Sequence, residues 1–156
     1  MEDFLEFILA GLAVYVVISL VWYIIMVIAN WRIFTKAGEA GWKSIIPFLN
    51  TYVLFKIAWK ARMFWLMLVT LIAGSFCTTM SPDQGNDTLA IIGAVLSLIS
   101  CVIGIIVAHK LSKSFGHGLG FTLGLLFLSP IFTLILGLGG SEYIGPSGIP
   151  VDSPYR

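Results

Sequence analysis

Charged side chains are scarce in this 156-residue sequence: only 11% of its residues are charged, whereas 58% are hydrophobic. Soluble domains carry charge at about a quarter of their positions, so this chain cannot cover the surface of a soluble fold. A hydrocarbon core of about 30 Å is crossed by about 20 apolar residues in a helix. The length therefore predicts an integral membrane protein of about four spans with no separate soluble domain.

Cysteine is also scarce, with only Cys77 and Cys101, and both lie inside apolar runs. A helix rises about 1.5 Å per residue, which places Cys77 near a membrane surface and Cys101 near the middle. These depths do not allow a disulfide, so we interpret both cysteines as small packing residues.

Ionisable side chains are missing from the interior of the four apolar segments, at residues 7–28, 63–80, 88–109 and 121–138. Proton relays, ion-coupled carriers and voltage sensors use such groups, so these mechanisms are disfavoured. The intramembrane serines have no base at their depth, which disfavours a hydrolase. His109 and His117 have no third ligand nearby. The sequence therefore predicts no metal site, no cofactor and no enzymatic activity.

The charges that are present are segregated along the chain. Eight of the nine basic residues occur in two stretches: Arg32, Lys36, Lys43, Lys56, Lys60 and Arg62, then Lys110 and Lys113. Seven of the eight acids lie elsewhere, and Glu39 is the exception. Basic residues beside spanning helices stay in the cytoplasm. The pattern predicts a four-span bundle in the cell membrane with both basic stretches inside and both termini outside, and it does not indicate nucleic-acid binding.

A short helix is predicted between the first two spans, at residues 47–59, because proline is favoured in the first turn of a helix. Phe48, Tyr52, Phe55 and Trp59 fall on one narrow sector of it. The apolar stretch that contains it, about 16 residues, reaches only about 24 Å and is too short to span. We therefore expect the helix in the inner interface, lying flat or dipping inward as a re-entrant segment. The aromatic stripe belongs either to the interfacial belt or to a partner-binding face.

Small residues recur every four and three positions on one face of the third span: Ala90, Ala94, Ser97, Cys101, Gly104 and Ala108. Such stripes let helix backbones approach closely in lipid. The pattern predicts a packing seam, either within the bundle or between copies in an oligomer.

The fourth span, residues 121–138, is predicted to carry a kink. Pro130 lies in mid-span and frees a carbonyl group, which Ser129 is placed to satisfy. Residues 141–156 contain three prolines and are predicted to form an extended extracytoplasmic tail with no core of its own. Residues 81–87 are predicted to form a short acidic turn.

Two sequence blocks resemble a family of small uncharacterised bacterial multi-pass membrane proteins, defined as a domain of unknown function. The first block is GWKSIIPFLNTY at residues 41–52, and the second is LSKSFGHGLGF at residues 111–121 with FLSPIF at 127–132. Members often carry the label signal peptidase I, which implies a Ser/Lys dyad on a β-rich domain that this chain has no residues to build. The resemblance therefore implies a bacterial cytoplasmic membrane and no established activity.

Two functions fit these features. The first is a non-enzymatic helical bundle that acts through helix association, as a self-assembled pore or as the membrane subunit of a larger complex. The alternative is a transporter of a small or lipophilic solute, with a cavity near Ser129 and Pro130. The expected partners are the lipid bilayer and further copies of the chain or other membrane subunits.

Overall fold

The computed structural model describes residues 1–80 and 87–150, and within them the chain is all-helical with no strand, as the sequence predicts. The six α-helices are α1 (Glu2–Lys36), α2 (Pro47–Ala58), α3 (Ala61–Thr79), α4 (Asp87–Ser114), α5 (Leu119–Phe127) and α6 (Ser129–Leu138). Two 3-10 turns occur at Gly41–Ser44 and Pro146–Gly148. The predicted acidic turn, apart from Asp87, and the end of the tail beyond residue 150 lie outside the described residues.

Within residues 1–80 and 87–150, three helices, α1, α3 and α4, are long and apolar enough to cross a membrane. The 19 residues of α3 extend about 28 Å, close to the thickness of a hydrocarbon core. The first helix is longer than predicted, because it continues through the basic residues to Lys36 instead of ending at residue 28. Asn30 consequently belongs to a helix and not to a loop.

Glycines in the left-handed conformation end both α1 and α4. Gly38 and Gly116 each have φ of 74°, a conformation that glycine adopts without strain. The N–H of Glu39 donates to Phe34 O at 2.8 Å, and the N–H of His117 donates to Ser112 O at 3.0 Å. Each of these hydrogen bonds reaches back to the residue five positions earlier and satisfies a carbonyl at the end of its helix. The same type of C-terminal cap therefore ends α1 and α4.

The predicted fourth span, residues 121–138, is two short helices instead of one. The chain leaves the helical conformation at Leu128, and α6 then begins with Ser129 and Pro130. Proline costs nothing in the first turn of a helix, so Pro130 starts a new helix here and does not kink a continuous one. The 9 residues of α5 and the 10 of α6 extend about 14 and 15 Å, about half of a hydrocarbon core.

The two short helices form a hairpin whose ends lie together. Before α5, the carbonyl of Gly118 accepts a hydrogen bond from Ser112 Oγ at 3.0 Å. After α6, Ser141 Oγ lies 2.8 Å from His117 Nε2. The segment therefore returns to the end of α4 from which it started and does not run to the opposite end of the bundle, as a fourth span would.

The first part of the predicted tail packs against the bundle. The Tyr143 ring lies edge-on to Phe115 with centroids 5.4 Å apart, and its hydroxyl donates to Ile57 O at 2.8 Å. The N–H of Ile144 donates to Ser114 O at 2.8 Å. Residues 141–150 thus lie at the end of the bundle that carries the basic residues, because their apolar side chains find packing partners there.

The second helix closes that same end of the bundle. It contributes to two buried clusters, one with Ile33, Phe34, Val53, Ile57, Phe115 and Leu136, and the other with Phe55, Ala58, Phe64, Ile103 and Val107. The core therefore sits at the basic end. Residues 4–25 of α1, in contrast, are all exposed.

Candidate functional site

A cavity of about 110 Å³ lies where α1, α2, α4, α5 and α6 meet. Its polar lining groups are Asn30 of α1 and Ser129 and Thr133 of α6. Hydrocarbon side chains, among them Leu54 and Leu125, form the rest of the wall. Of the described residues that line the cavity, none is ionisable. The space is therefore suited to an uncharged occupant.

Asn30 is the most constrained polar group in this wall. Its side chain is only 5% exposed, and its Nδ2 donates to Met26 O at 3.0 Å. A carbonyl oxygen can only accept, so this bond fixes which end of the amide is the nitrogen. The Oδ1 atom is buried and has no hydrogen-bond partner within residues 1–80 and 87–150. Leaving such an acceptor unpaired costs about 1–3 kcal/mol.

The start of α6 also faces this cavity. Ser129 is the first residue of α6, and the first turn of a helix has N–H groups without an intrahelical partner. Thr133 Oγ1 donates to Ser129 O at 2.6 Å, which leaves the oxygen of Thr133 free to accept.

The depth of the cavity follows from its position on α1. Asn30 precedes Lys36 by six residues, or about 9 Å. If α1 spans a bilayer, the cavity lies at this depth inside the hydrocarbon.

Lys36 holds the far end of α6. Its Nζ donates to Leu136 O at 2.8 Å and to Gly139 O at 2.7 Å. A cation at this position satisfies terminal carbonyls and complements the negative end of the helix dipole. Beside it, Gly137 packs so closely on α1 that an added Cβ would overlap the carbonyl of Ala29. These contacts fasten the hairpin to α1.

The two histidines hold the base of the hairpin. His109 Nδ1 lies 3.0 Å from Thr122 Oγ1, which joins α4 to α5. His117 stacks on Phe121 with ring centroids 4.2 Å apart. Within the described part of the chain, no group of three His, Cys, Asp or Glu side chains is arranged to hold a metal ion.

Most of the small-residue stripe of α4 faces away from α3, although Ser97 lies at the edge of the contact, beside Gly74. Ala90, Ala94, Ser97 and Cys101 are exposed, and Gly104 and Ala108 are half-buried. Contact with α3 is made on the adjacent face, where Ser100 Oγ lies 2.7 Å from Thr70 Oγ1. There an added Cβ on Gly93 would lie 2.7 Å from Thr78 Cγ2. Sequence spacing missed this contact face because it combines glycine and serine with large residues such as Ile103 and Val107.

The aromatic stripe of α2 packs largely within the chain. The rings of Phe48, Tyr52 and Phe55 surround Phe64 of α3, edge to face, with centroids 5.0, 5.5 and 5.8 Å away. Trp59 lies under Lys110 Nζ, 4.9 Å from the ring centroid. Of the four stripe residues, Phe48 keeps the largest exposed fraction, at 49%. Only this ring is therefore well placed to contact lipid or a partner.

Glu39 neutralises part of the basic end. Its Oε2 lies 2.6 Å from Lys43 Nζ, and its Oε1 lies 2.5 Å from Lys56 Nζ. Hydrogen bonds from Lys43 and Lys56 lower the pKa of Glu39, and the bond from Glu39 raises the pKa of Lys56. This acid therefore ties the loop after α1 to α2.

Sequence reasoning missed Asn30 and Lys36 because it ended the first helix at residue 28. A helix continued through residue 36 would have placed a lone amide inside the apolar segment. A buried polar side chain in a spanning helix is a signal for a functional site.

Comparison with known proteins gives one family. A model of a family of unknown function, DUF5684, matches residues 42–146. No curated protein and no solved structure matches the chain. The matched region contains α2 to α6, whereas Asn30 and the rest of α1 lie outside it.

Proposed function

We propose that this chain, which belongs to the family of unknown function DUF5684, is a non-enzymatic membrane protein that acts by associating with other membrane helices. The helices α1, α3 and α4 span the bilayer in this proposal. They position an association surface formed by α1 and the small-residue stripe of α4.

The proposal includes a topology. Basic residues beside spanning helices remain on the cytoplasmic side, so the end that carries Lys36, Lys43 and Lys113 lies inside. The α5–α6 hairpin then enters the membrane from the cytoplasm and returns to it. Residues 139–150 lie inside and the start of α1 lies outside, in place of two external termini. Helical segments that enter the hydrocarbon region without crossing it are tolerated where protein surrounds them.

The observation that carries the association proposal is the isolation of α1. Residues 4–25 are all exposed, and packing begins only near Met26. Among the described residues, no Cα atom of α1 lies within 8 Å of one in α4, and α6 is the hairpin helix that packs on α1. Ala90, Ala94 and Cys101 share a helical face with Ala108, which lines the cavity beside α1. In this proposal, the stripe and α1 border a groove beyond the hairpin, and the small residues of the stripe let another helix approach closely.

Intact-mass measurement of the purified particle in detergent tests this proposal. A multiple of the 17.1 kDa chain supports self-assembly, and an added mass supports a heteromeric complex. Ala94→Trp should dissociate the particle because it places a large ring on the stripe. Ile92→Trp is the matched control, since Ile92 is exposed on the opposite side of α4. A monomer without partners, or equal effects of the two variants, would contradict the proposal.

The cavity favours a second candidate function, a transporter of a small solute. A hairpin that enters and leaves on one side places the start of a half-helix inside the membrane, as in several transporter folds. Replacing Pro130 with Ala removes the residue that starts α6, so solute uptake by reconstituted vesicles should change while the protein stays folded. Unchanged uptake would count against transport.

A further inference from the structure

We propose that the cavity between α1, α2, α4, α5 and α6 binds a small uncharged molecule whose N–H or O–H group donates a hydrogen bond to Asn30 Oδ1.

The unpaired acceptor on Asn30 indicates that the ligand is a hydrogen-bond donor. Asn30 is 95% buried, since only 5% of it is exposed, and its Nδ2 is already bonded to Met26 O. The Oδ1 atom lacks a partner among the described residues and belongs to a side chain that lines the cavity. Buried amide oxygens in native proteins are nearly always paired. The missing partner is therefore a donor that residues 1–80 and 87–150 do not provide.

The chemistry of the cavity wall disfavours a charged ligand. Among the described lining residues there is no acid, base or histidine, so a charged ligand would lose its hydration without a counter-charge. Leu54, Leu125 and Ile33 provide apolar contact instead. The matching ligand is neutral, with a polar group at one end and a hydrocarbon body.

The start of α6 specifies the polar group further. At the first turn of this helix, Ser129 presents its backbone N–H and the positive end of the helix dipole, since Pro130 has no N–H and the Phe132 N–H is bonded to Leu128 O. A ligand that donates to Asn30 can therefore accept a hydrogen bond at α6. Primary amides and alcohols carry both capacities in one group.

The volume limits the size of the ligand. A protein cavity of about 150 Å³ accepts benzene, which has six heavy atoms. The 110 Å³ found here therefore suits about four or five heavy atoms. Propionamide and N,N-dimethylformamide are isomers of this size, and only propionamide has N–H donors.

The experiment compares these two isomers on the full chain in lipid nanodiscs. Saturation-transfer NMR titrations should give a Kd for propionamide about tenfold lower than for N,N-dimethylformamide, as expected for one hydrogen bond. Equal affinities, or no binding of either isomer, would overturn the proposal. The second result would mean that the cavity holds only water.

Variants assign the preference to the cavity. Asn30→Leu should remove the preference for propionamide, because it deletes the acceptor at nearly constant volume. Asn50→Leu is the matched control, since Asn50 also has an unpaired Oδ1 but does not line the cavity. Ala108→Leu keeps Asn30 and should weaken the binding of both isomers because the larger side chain fills the cavity. This variant still tests the site if Asn30→Leu does not fold. A preference that persists in Asn30→Leu, or a loss in Asn50→Leu, would overturn the assignment.

Discussion

Two glycines of α4 test which face of this helix packs inside the chain. An added Cβ at Gly93 would lie 2.7 Å from Thr78 Cγ2 and 3.0 Å from both Gly74 O and Thr78 N. Two of these atoms are backbone, so α3 and α4 would have to move apart. At Gly104, in contrast, an added Cβ meets no described atom within 4 Å.

The expected difference follows from these distances. Overpacking a close helix contact costs about 1–3 kcal/mol. Replacing glycine by alanine inside a helix also gains about 1 kcal/mol of helix propensity, and this gain is common to both sites. Gly93→Ala should therefore be less stable than Gly104→Ala by about 1–3 kcal/mol, and Gly104→Ala should be at least as stable as the native chain.

The assay is unfolding in mixed micelles by increasing SDS, followed by tryptophan fluorescence. Gly74→Ala provides a second variant of the same contact, since its Cβ would lie 2.9 Å from Ser97 Oγ. If Gly104→Ala destabilises the protein and Gly93→Ala does not, the small-residue stripe, and not the Gly93 face, is the contact within the bundle. The packing described for α3 and α4 would then be wrong.

Two further predictions concern charges at the basic end. Lys36→Met removes both hydrogen bonds from Nζ to the end of α6 and should destabilise the protein by about 3 kcal/mol. Arg32 is exposed, so Arg32→Met should have little effect in the same SDS assay. Glu39 stabilises the fold above the pKa of an unfolded glutamate, about 4.3, and this stabilisation is lost as the pH falls through its lowered folded pKa. Glu39→Gln should lose about 1 kcal/mol or less at neutral pH, because Lys56 is half exposed, and should show a weaker dependence of stability on acid.

Hydropathy and charge were enough to predict the helical class and an apolar, membrane-suited chain. A helix was also predicted to start at Pro47, where α2 begins. These features follow from local composition: long apolar runs, a basic stretch, and a proline in the first turn.

The hairpin was not predictable in the same way. An apolar run of 18 residues has the same hydropathy whether it crosses the membrane once or folds back at Leu128. Whether this run crosses or folds back depends on tertiary contacts, above all the hydrogen bonds of Lys36 with Leu136 and Gly139. Asn30 was missed for a related reason, because the end of α1 is set by Gly38 and not by the first basic residue.

The central claim is that the α5–α6 hairpin enters the membrane and returns to the same side. Single cysteines at Lys113, Glu142 and Met80, in a chain without Cys77 and Cys101, test it by labelling intact cells with a membrane-impermeant maleimide. We predict that positions 113 and 142 are protected while position 80, at the other end of α3, is labelled. Labelling of position 142 together with position 80 would make residues 119–138 a fourth span and contradict the account.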